Sequence, residues 1–395
     1  MNGFDSSLMG AINAMPQYQE SFGLSGAGST TGIVFMIYNV GQVVAFPFCG
    51  WLADGYGRRI CIFVGCAIVL IGTAIQTPAT SLGMFIGGRF VLGFGASIAS
   101  AAGPAYTVEL AHPAYRGFMA GMYNNFWWLG NILAGWTTYG SNLHLDNSWA
   151  WRTPTVIQAG LPGIVMALIL FFPESPRWLI SHDRAEEALA ILAKYHGDGN
   201  ANAPVVQLQY HEIVEDNKLT KDENPWWDYR ELVNTRAARY RLFMVIAMSF
   251  IGQWSGNNVV SYFMPEMIKQ AGITNTDTQL LLNAINPIFS MIAAIYGASL
   301  LDKLGRRKMM LAGLSEQQQH PLSNMATHEE TKPHFEHEEP LAGKEGVGKV
   351  TEVNATSVAL AAAMAEQKPN IWSANMIRLY MIMGIGYLVS TMNGF

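Results

Sequence analysis

Long apolar runs recur along the chain at 32–53, 60–77, 82–108, 117–139, 154–172, 241–265, 279–301 and 376–395. A helix needs about 20 mostly apolar residues to cross a bilayer, and these runs meet that length. Several carry Gly, Pro, Asn or Gln in their interiors, which membrane bundles tolerate when neighbouring helices satisfy the freed backbone groups. The pattern predicts an all-α multi-pass membrane protein. Helices within 32–172 form one block, and a polar cytoplasmic linker with helical character follows at 173–240. Inside it, DRAEEALAILAKYH at 183–196 sets apolar residues at three- and four-residue spacing behind an acidic first turn. A second block, 241–314, holds two helices and the stub MMLAGL at 309–314.

The pattern breaks after that stub. Residues 315–375 are polar and rich in Gln, Glu, His and Pro, which predicts a disordered cytoplasmic tail with one short Ala-rich helix near 356–366. Its histidines, His320, His328, His334 and His337, are irregularly spaced, so a solvated tail is favoured over a metal site. A fresh apolar segment then occupies 376–395, ending in Met392-Asn393-Gly394-Phe395, the same four residues that open the chain. Overlaying the copies gives YLVSTMNGFDSSLMGAINAM, one unbroken spanning helix, with 376–395 as its first half and 1–15 as its second. The expectation is that 315–395 belongs, in physical order, before residue 5. In the written order the two termini would sit inside the bilayer, where an unpaired charge costs several kcal/mol or more.

Composition and charge sharpen this picture. Only 13% of the residues are charged and 50% are hydrophobic, against about 25% charged in a soluble domain. Lys and Arg gather at Arg58, Arg59 and Arg116, through 177–241, and at Lys303, Arg306, Arg307 and Lys308. The connections 16–31, 78–81 and 140–150 have none, and 266–278 has only Lys269. Basic loops stay in the cytoplasm, so the helices cross in regular alternation. The three cysteines lie in or beside apolar runs and imply no disulfide framework. Residues 1–15 lack the basic start of a cleavable signal peptide.

Two tight basic turns carry the strongest internal signal. Gly50-Trp51-Leu52-Ala53-Asp54-Gly55-Tyr56-Gly57-Arg58-Arg59 joins two apolar runs, and Asp302-Lys303-Leu304-Gly305-Arg306-Arg307 recurs at the corresponding turn of the second block. One copy reads as a topology anchor; two imply an internal repeat of the kind secondary transporters use.

With these turns stand Gly88-Arg89-x-x-x-Gly93-x-Gly95, Pro104-x-Tyr106-x-x-Glu109, Arg116-Gly117, Pro173-Glu174-Ser175-Pro176-Arg177 and Gln253-x-x-Gly256-x-Asn258. Together they resemble the sugar porters of the major facilitator superfamily, over residues 1–314. Tyr123-Asn124-Asn125-Phe126-Trp127-Trp128, Ala150-Trp151-Arg152-x-Pro154 and Ser255-Gly256-Asn257-Asn258 resemble its fungal lactose and cellodextrin permease branch.

The resemblance implies two six-helix halves. Residues 376–395 joined to 1–15 match the first helix, 32–172 the second to sixth, and 241–314 the seventh, eighth and the start of the ninth. The last three to four helices have no counterpart, which puts transport by the chain as written in doubt.

The resemblance also assigns residues. Asp5 falls in the first helix, where an intramembrane carboxylate is costly and usually functional; with Arg89 as partner it matches the proton site of proton-coupled members. A structural ion pair is the alternative. Gln253, Asn258 and Tyr262 match sugar-contacting positions of the seventh helix, with Trp254 beside them as a stacking platform. Amides that both donate and accept, with aromatic rings, suit sugar hydroxyls and ring faces. Asn124 and Asn131, on one face of the fifth helix, stand where many relatives carry Gln, and the shorter side chain favours a disaccharide. On the eighth helix the family's Asn falls on Ser290, with Asn286 one turn away. Interhelical hydrogen bonding is the alternative for each amide. Asp54, Arg58, Arg59, Glu109, Arg116, Glu174 and Arg177, with Asp302, Arg306 and Arg307, match the family's cytoplasmic gating network.

No nucleophile–base set, phosphate loop or metal-ligand spacing occurs, so an enzyme is not expected, nor a cofactor or nucleic-acid partner. The expected partners are a sugar, a proton and the lipid bilayer, at the plasma membrane; the oligomeric state stays open. Three readings remain: proton-coupled carriage of a disaccharide or hexose, a sugar sensor on the same fold, and an inactive truncated or rearranged carrier.

Overall fold

A computed structural model of the chain describes residues 2–24, 28–221, 234–254, 265, 268–269 and 275–304. Of some of these, Asn124, 248–254 and 296–304 among them, only the backbone is described. Among the described residues every regular element is helical. One compact unit contains Met1–Tyr296 and a second begins at Gly297; the packing below belongs to the first.

The helices are α1 (Asn2–Asn13), α2 (Pro16–Phe22), α3 (Ser29–Gly55), α4 (Arg58–Gln76), α5 (Leu82–Leu110), α6 (Arg116–His144), α7 (Trp149–Gln158) and α8 (Gly160–Ile169). Three shorter helices follow, α9 (Pro176–Ser181), α10 (Ala185–His196) and α11 (Pro204–Lys221), then α12 (Arg236–Trp254) and α13 (Thr276–Leu304). Among the described residues five segments are long and apolar enough to cross a membrane: Ser29–Gly55, Arg58–Gln76, Leu82–Leu110, Trp149–Ile169 and Thr276–Ile295. The chain is a multi-pass membrane protein.

Small residues bring the helices together. A Cβ on Gly65 would stand 2.6 Å from the Ala99 backbone nitrogen, one on Gly93 would overlap the Tyr38 carbonyl, and one on Gly135 would lie 2.8 Å from Ala284 Cα. In lipid, where apolar surface alone does not drive helices together, such close backbone approach supplies the van der Waals contact. Among the buried clusters of the described residues, two are large. One joins Cys49, Cys61, Tyr106 and Ile169, at the end of the bundle that carries the basic turn. The other joins α1 and Tyr18 to Phe85, Trp151 and Leu280.

Two local features depart from the periodicity. The run at 154–172 is part of a span that begins earlier, at Trp149, and breaks at Ala159 between α7 and α8. Pro162 explains the break, because it offers no N–H to the Gln158 carbonyl and its ring crowds that oxygen. In the linker, Asp183 adopts a positive φ of 58°, so α10 starts at Ala185, and α9 and α11 add helices that the 183–196 pattern did not announce. The stub at 309–314, the tail expected at 315–375 and the apolar segment 376–395 lie outside the described residues.

Candidate functional site

Asp5 and Arg89 are each only 1% exposed. They converge without a direct ion pair among the described residues: the Asp5 carboxylate accepts a hydrogen bond from the Gln158 amide, and the Arg89 guanidinium lies over the Tyr38 ring, 5.2 Å from its centre. The Tyr38 hydroxyl faces the same carboxylate, and Asp5 lies within electrostatic reach of Arg89. Asp5 Oδ2, Arg89 Nε and Nη1, and Gln158 Oε1 are buried without hydrogen-bond partners. A buried polar atom left unpaired costs roughly 1–3 kcal/mol, so this cluster is held in place by the bundle around it. In place of the expected Asp5–Arg89 ion pair, Asp5 and Arg89 belong to a four-residue cluster with Tyr38 and Gln158.

A second set of buried polar groups lies on α6 and α13, which meet where Gly135 packs on Ala284. Asn131 is buried with Oδ1 unpaired, and Asn283 is buried with Nδ2 unpaired. Gly135, one turn beyond Asn131, packs on Ala284, which adjoins Asn283. Further along, Asn142 donates to Asp277 at 2.8 Å. An unpaired amide acceptor and an unpaired amide donor on facing helices can between them hold a hydroxyl group. Asn286 is exposed and Ser290 half-exposed, so the buried amides on this helix are Gln279, near its start, and Asn283. They escaped the sequence reading because position within the helix, not residue type, selects them. Asn124 lies on α6, and Gln253 and Trp254 in the last turn of α12, with side chains outside the described set; Asn258 and Tyr262 lie outside the described residues altogether.

The charged residues of the basic turn between α3 and α4 meet those of the segment after α8. Arg58 pairs with Asp54 at 3.0 Å and with Glu109 at 3.2 Å. Ser175 donates to the other face of the network at Glu109. The Glu174 carboxylate accepts the backbone N–H groups of Arg58 at 3.1 Å and of Arg59 at 3.3 Å. Burial pushes the Glu174 carboxyl upward, while the N–H groups of Ser175, Arg59 and Arg58 and the Arg59 charge pull it back. Arg59 donates to the Ile169 carbonyl at 3.3 Å and to that of Leu170, closing the end of α8. Trp178 donates to the Asp54 carbonyl at 2.8 Å. Arg177 turns outward to Asp216 at 2.6 Å. Arg116 lines a small cavity of about 80 Å³ with Val108, Glu109, Arg177, Gln209 and Glu212. Solute pockets measure about 300–1,000 Å³, so that cavity is too small for a sugar. Asp302 lies on α13 with its side chain outside the described set, and Arg306 and Arg307 lie beyond the described residues.

The described residues thus form a helical membrane bundle with a buried carboxylate, a buried guanidinium and buried amides. A family model described as Sugar (and other) transporter matches residues 1–318, and the chain belongs to that family. The MFS-type transporter criB of Aspergillus cristatus is 32% identical over 271 residues, 68% of this chain and 58% of its own length. The high-affinity glucose transporter of Kluyveromyces lactis is 28% identical, over 79% of this chain and 56% of its own. The quinate permease of Neurospora terricola is also 28% identical, over 79% and 61%. The chain therefore spans about six-tenths of the length of these curated relatives. Among solved structures, the proton:xylose symporter XylE of E. coli shares the fold with a TM-score of 0.66 at 20% identity, over 99% of this chain and 83% of that one.

Proposed function

We propose that this protein carries a small polyhydroxylated ring solute, a hexose or disaccharide, across the plasma membrane by alternating access, and that a proton bound at Asp5 drives uptake. The observation that carries the reading is the carboxylate of Asp5, buried in the bundle with one oxygen unpaired and Arg89 within electrostatic reach. A carboxylate kept in such a place is expensive and marks an ion path. Asn131 and Asn283, on facing helices, supply the acceptor and donor that a ring hydroxyl needs; Gln253, Asn258, Tyr262, Trp254, Asn124 and Asn286 are proposed to complete the solute site. Arg58, Asp54, Glu109, Arg59, Glu174, Arg116 and Arg177 are proposed to close the cytoplasmic side in one state of the carrier, with Asp302, Arg306 and Arg307 as their repeat.

The test is uptake by the full chain in proteoliposomes under an imposed pH gradient, with labelled glucose, lactose, cellobiose and quinate as separate solutes. Accumulation of a sugar above equilibrium in the wild type and its loss in Asp5→Asn is the expected result. Sugar entry that equilibrates but never accumulates would defeat proton coupling; entry of quinate alone would defeat the sugar assignment.

A further inference from the structure

α6 and α13 come from the two apolar blocks of the sequence and touch at two points. At one, Gly135 packs on Ala284, where a Cβ on the glycine would lie 2.8 Å from the Ala284 Cα. Seven positions further along α6, and seven back along α13, Asn142 donates to the Asp277 carboxylate at 2.8 Å. The helices therefore run antiparallel, and since seven residues make about two turns, both contacts fall on the same faces. Between them lie Thr138 and Leu280, 0% and 1% exposed. Elsewhere among the described residues α13 touches the first block only lightly, whereas α4 and α5 pack closely along their lengths. The Asn142–Asp277 bond is thus a large share of what holds α13 in place.

Asn142 lies near the end of α6, roughly 40 Å along the helix from Arg116, so this bond closes the end of the bundle opposite the basic turn. Asp277 stands in the first turn of α13, where the Asn275 side chain accepts its N–H at 2.9 Å. A carboxylate is favoured at a helix start but disfavoured beside the last carbonyls of α6, and a neutral amide donor reconciles the two. Asn142 Oδ1 is left buried without a partner, so one bond makes the contact. We infer that Asn142 and Asp277 form a latch. While it holds, α6 and α13 shut this end of the bundle over Asn131 and Asn283; when it breaks, the helices part about Gly135 and Ala284 and open the way to those amides. This rests on the reading of the chain as an alternating-access carrier and names the contact that one side must break.

The experiment labels a thiol placed under the latch by Thr138→Cys, using a membrane-impermeant thiosulfonate on the purified full chain in lipid nanodiscs. The native thiol of Cys61, 0% exposed and packed at the basic-turn end, is the internal control. Adding Asp277→Ala is expected to speed labelling at position 138 roughly tenfold or more, the worth of one hydrogen bond to a charged group. Asn142→Ala should do the same and serves where Asp277→Ala does not fold; Asp277→Asn keeps an acceptor and should change the rate much less. Labelling of Cys61 should stay constant. An equal rise at Cys61 would mean general loosening, and an unchanged rate at position 138 in both alanine variants would mean no latch; either overturns the inference. In proteoliposomes, joining Asn142→Cys to Asp277→Cys with a short bifunctional thiosulfonate should stop entry of labelled glucose, lactose, cellobiose or quinate until the bridge is reduced. Entry of such a solute at the unbridged rate also overturns the latch. If the wild-type chain carries none of these solutes, the carrier reading falls, and the labelling at position 138 still decides the latch.

Discussion

Glu174 caps a helix that starts 116 positions before it, accepting the backbone N–H of Arg58 at 3.1 Å. The same carboxylate takes the Arg59 N–H at 3.3 Å and the Ser175 N–H at 2.9 Å. The first N–H groups of a helix have no partner inside it, and α4 has no side chain of its own to cap them. A negative charge at that end also meets the positive pole of the helix. The contact joins the segment after α8 to the basic turn, so the two ends of this charged network are fastened by one side chain.

Removing this cap tests its weight. Glu174→Ala is expected to lower the stability of the purified protein by about 1–2 kcal/mol, the usual size of a lost cap. Glu174→Gln keeps an acceptor and should lose less than half of that. Thermal unfolding in detergent, read by circular dichroism, measures both; equal losses in the two variants would mean that charge, not capping geometry, is what matters.

Gly57 makes the capping geometry accessible. Its φ is +99°, and a Cβ would lie 2.6 Å from Glu174 Oε2. Gly57→Ala therefore brings backbone strain of about 1–3 kcal/mol and pushes the carboxylate off the Arg58 and Arg59 N–H groups. The expected outcome is a loss at least as large as that of Glu174→Ala, and little further loss in the double variant, since both changes break the same contact.

His112 and His196 set a pH dependence in the cytoplasmic half. Their rings meet edge to face at 5.2 Å. His112 Nδ1 accepts the Ala114 N–H at 3.2 Å. His196 sits between the Leu110 carbonyl at 3.2 Å and Gln209 at 2.6 Å. Burial, then His196 and Arg116, push His112 down from 6.5 to about 4, and burial lowers His196 as well. A folded-state value below the unfolded one means the neutral ring is favoured in the fold. The stability is therefore present above pH 6.5 and is lost as pH falls through that value toward about 4. Melting temperature measured between these limits should fall in the wild type and fall less in His112→Asn, which keeps an acceptor for Ala114 without the titration.

The α6–α13 amides predict a transport phenotype. Asn131→Ala and Asn283→Ala should each raise the half-saturating solute concentration roughly tenfold, one hydrogen bond lost to an uncharged group. Competition by sugars lacking single hydroxyls checks the assignment, because a variant at the contacting amide should no longer discriminate against the analogue missing that hydroxyl.

Much of the architecture could be read along the chain because membrane insertion is local. α3, α4 and α5 occupy apolar runs whose length alone suffices, and the Arg58-Arg59 turn orients them by its charge. The run at 117–139 reads as spanning by its length, yet α6, made more polar by its Asn, Trp and Tyr residues, is not among the five spanning segments. The break at Ala159 was not announced by the run at 154–172, although Pro162 within it is the cause. The site divides in the same way. Asp5 and Arg89 stand out as ionisable residues in apolar surroundings. Gln158 and Asn283 do not, because a lone amide in a membrane run looks the same whether it faces lipid, a neighbour or a cavity.

The sequence by itself determined which segments are helical and apolar, which loops carry the positive charge, and which few ionisable residues lie within the bundle. These follow from transfer energies that add residue by residue. Only the tertiary structure decided that Asp5 meets Gln158, that Arg89 lies over Tyr38 and that Glu174 caps α4 from 116 positions away. Such pairings depend on how far each helix is rotated and shifted against its neighbours, which small-residue contacts such as Gly93 on Tyr38 and a proline break at one residue set jointly. No single stretch of the chain contains that information.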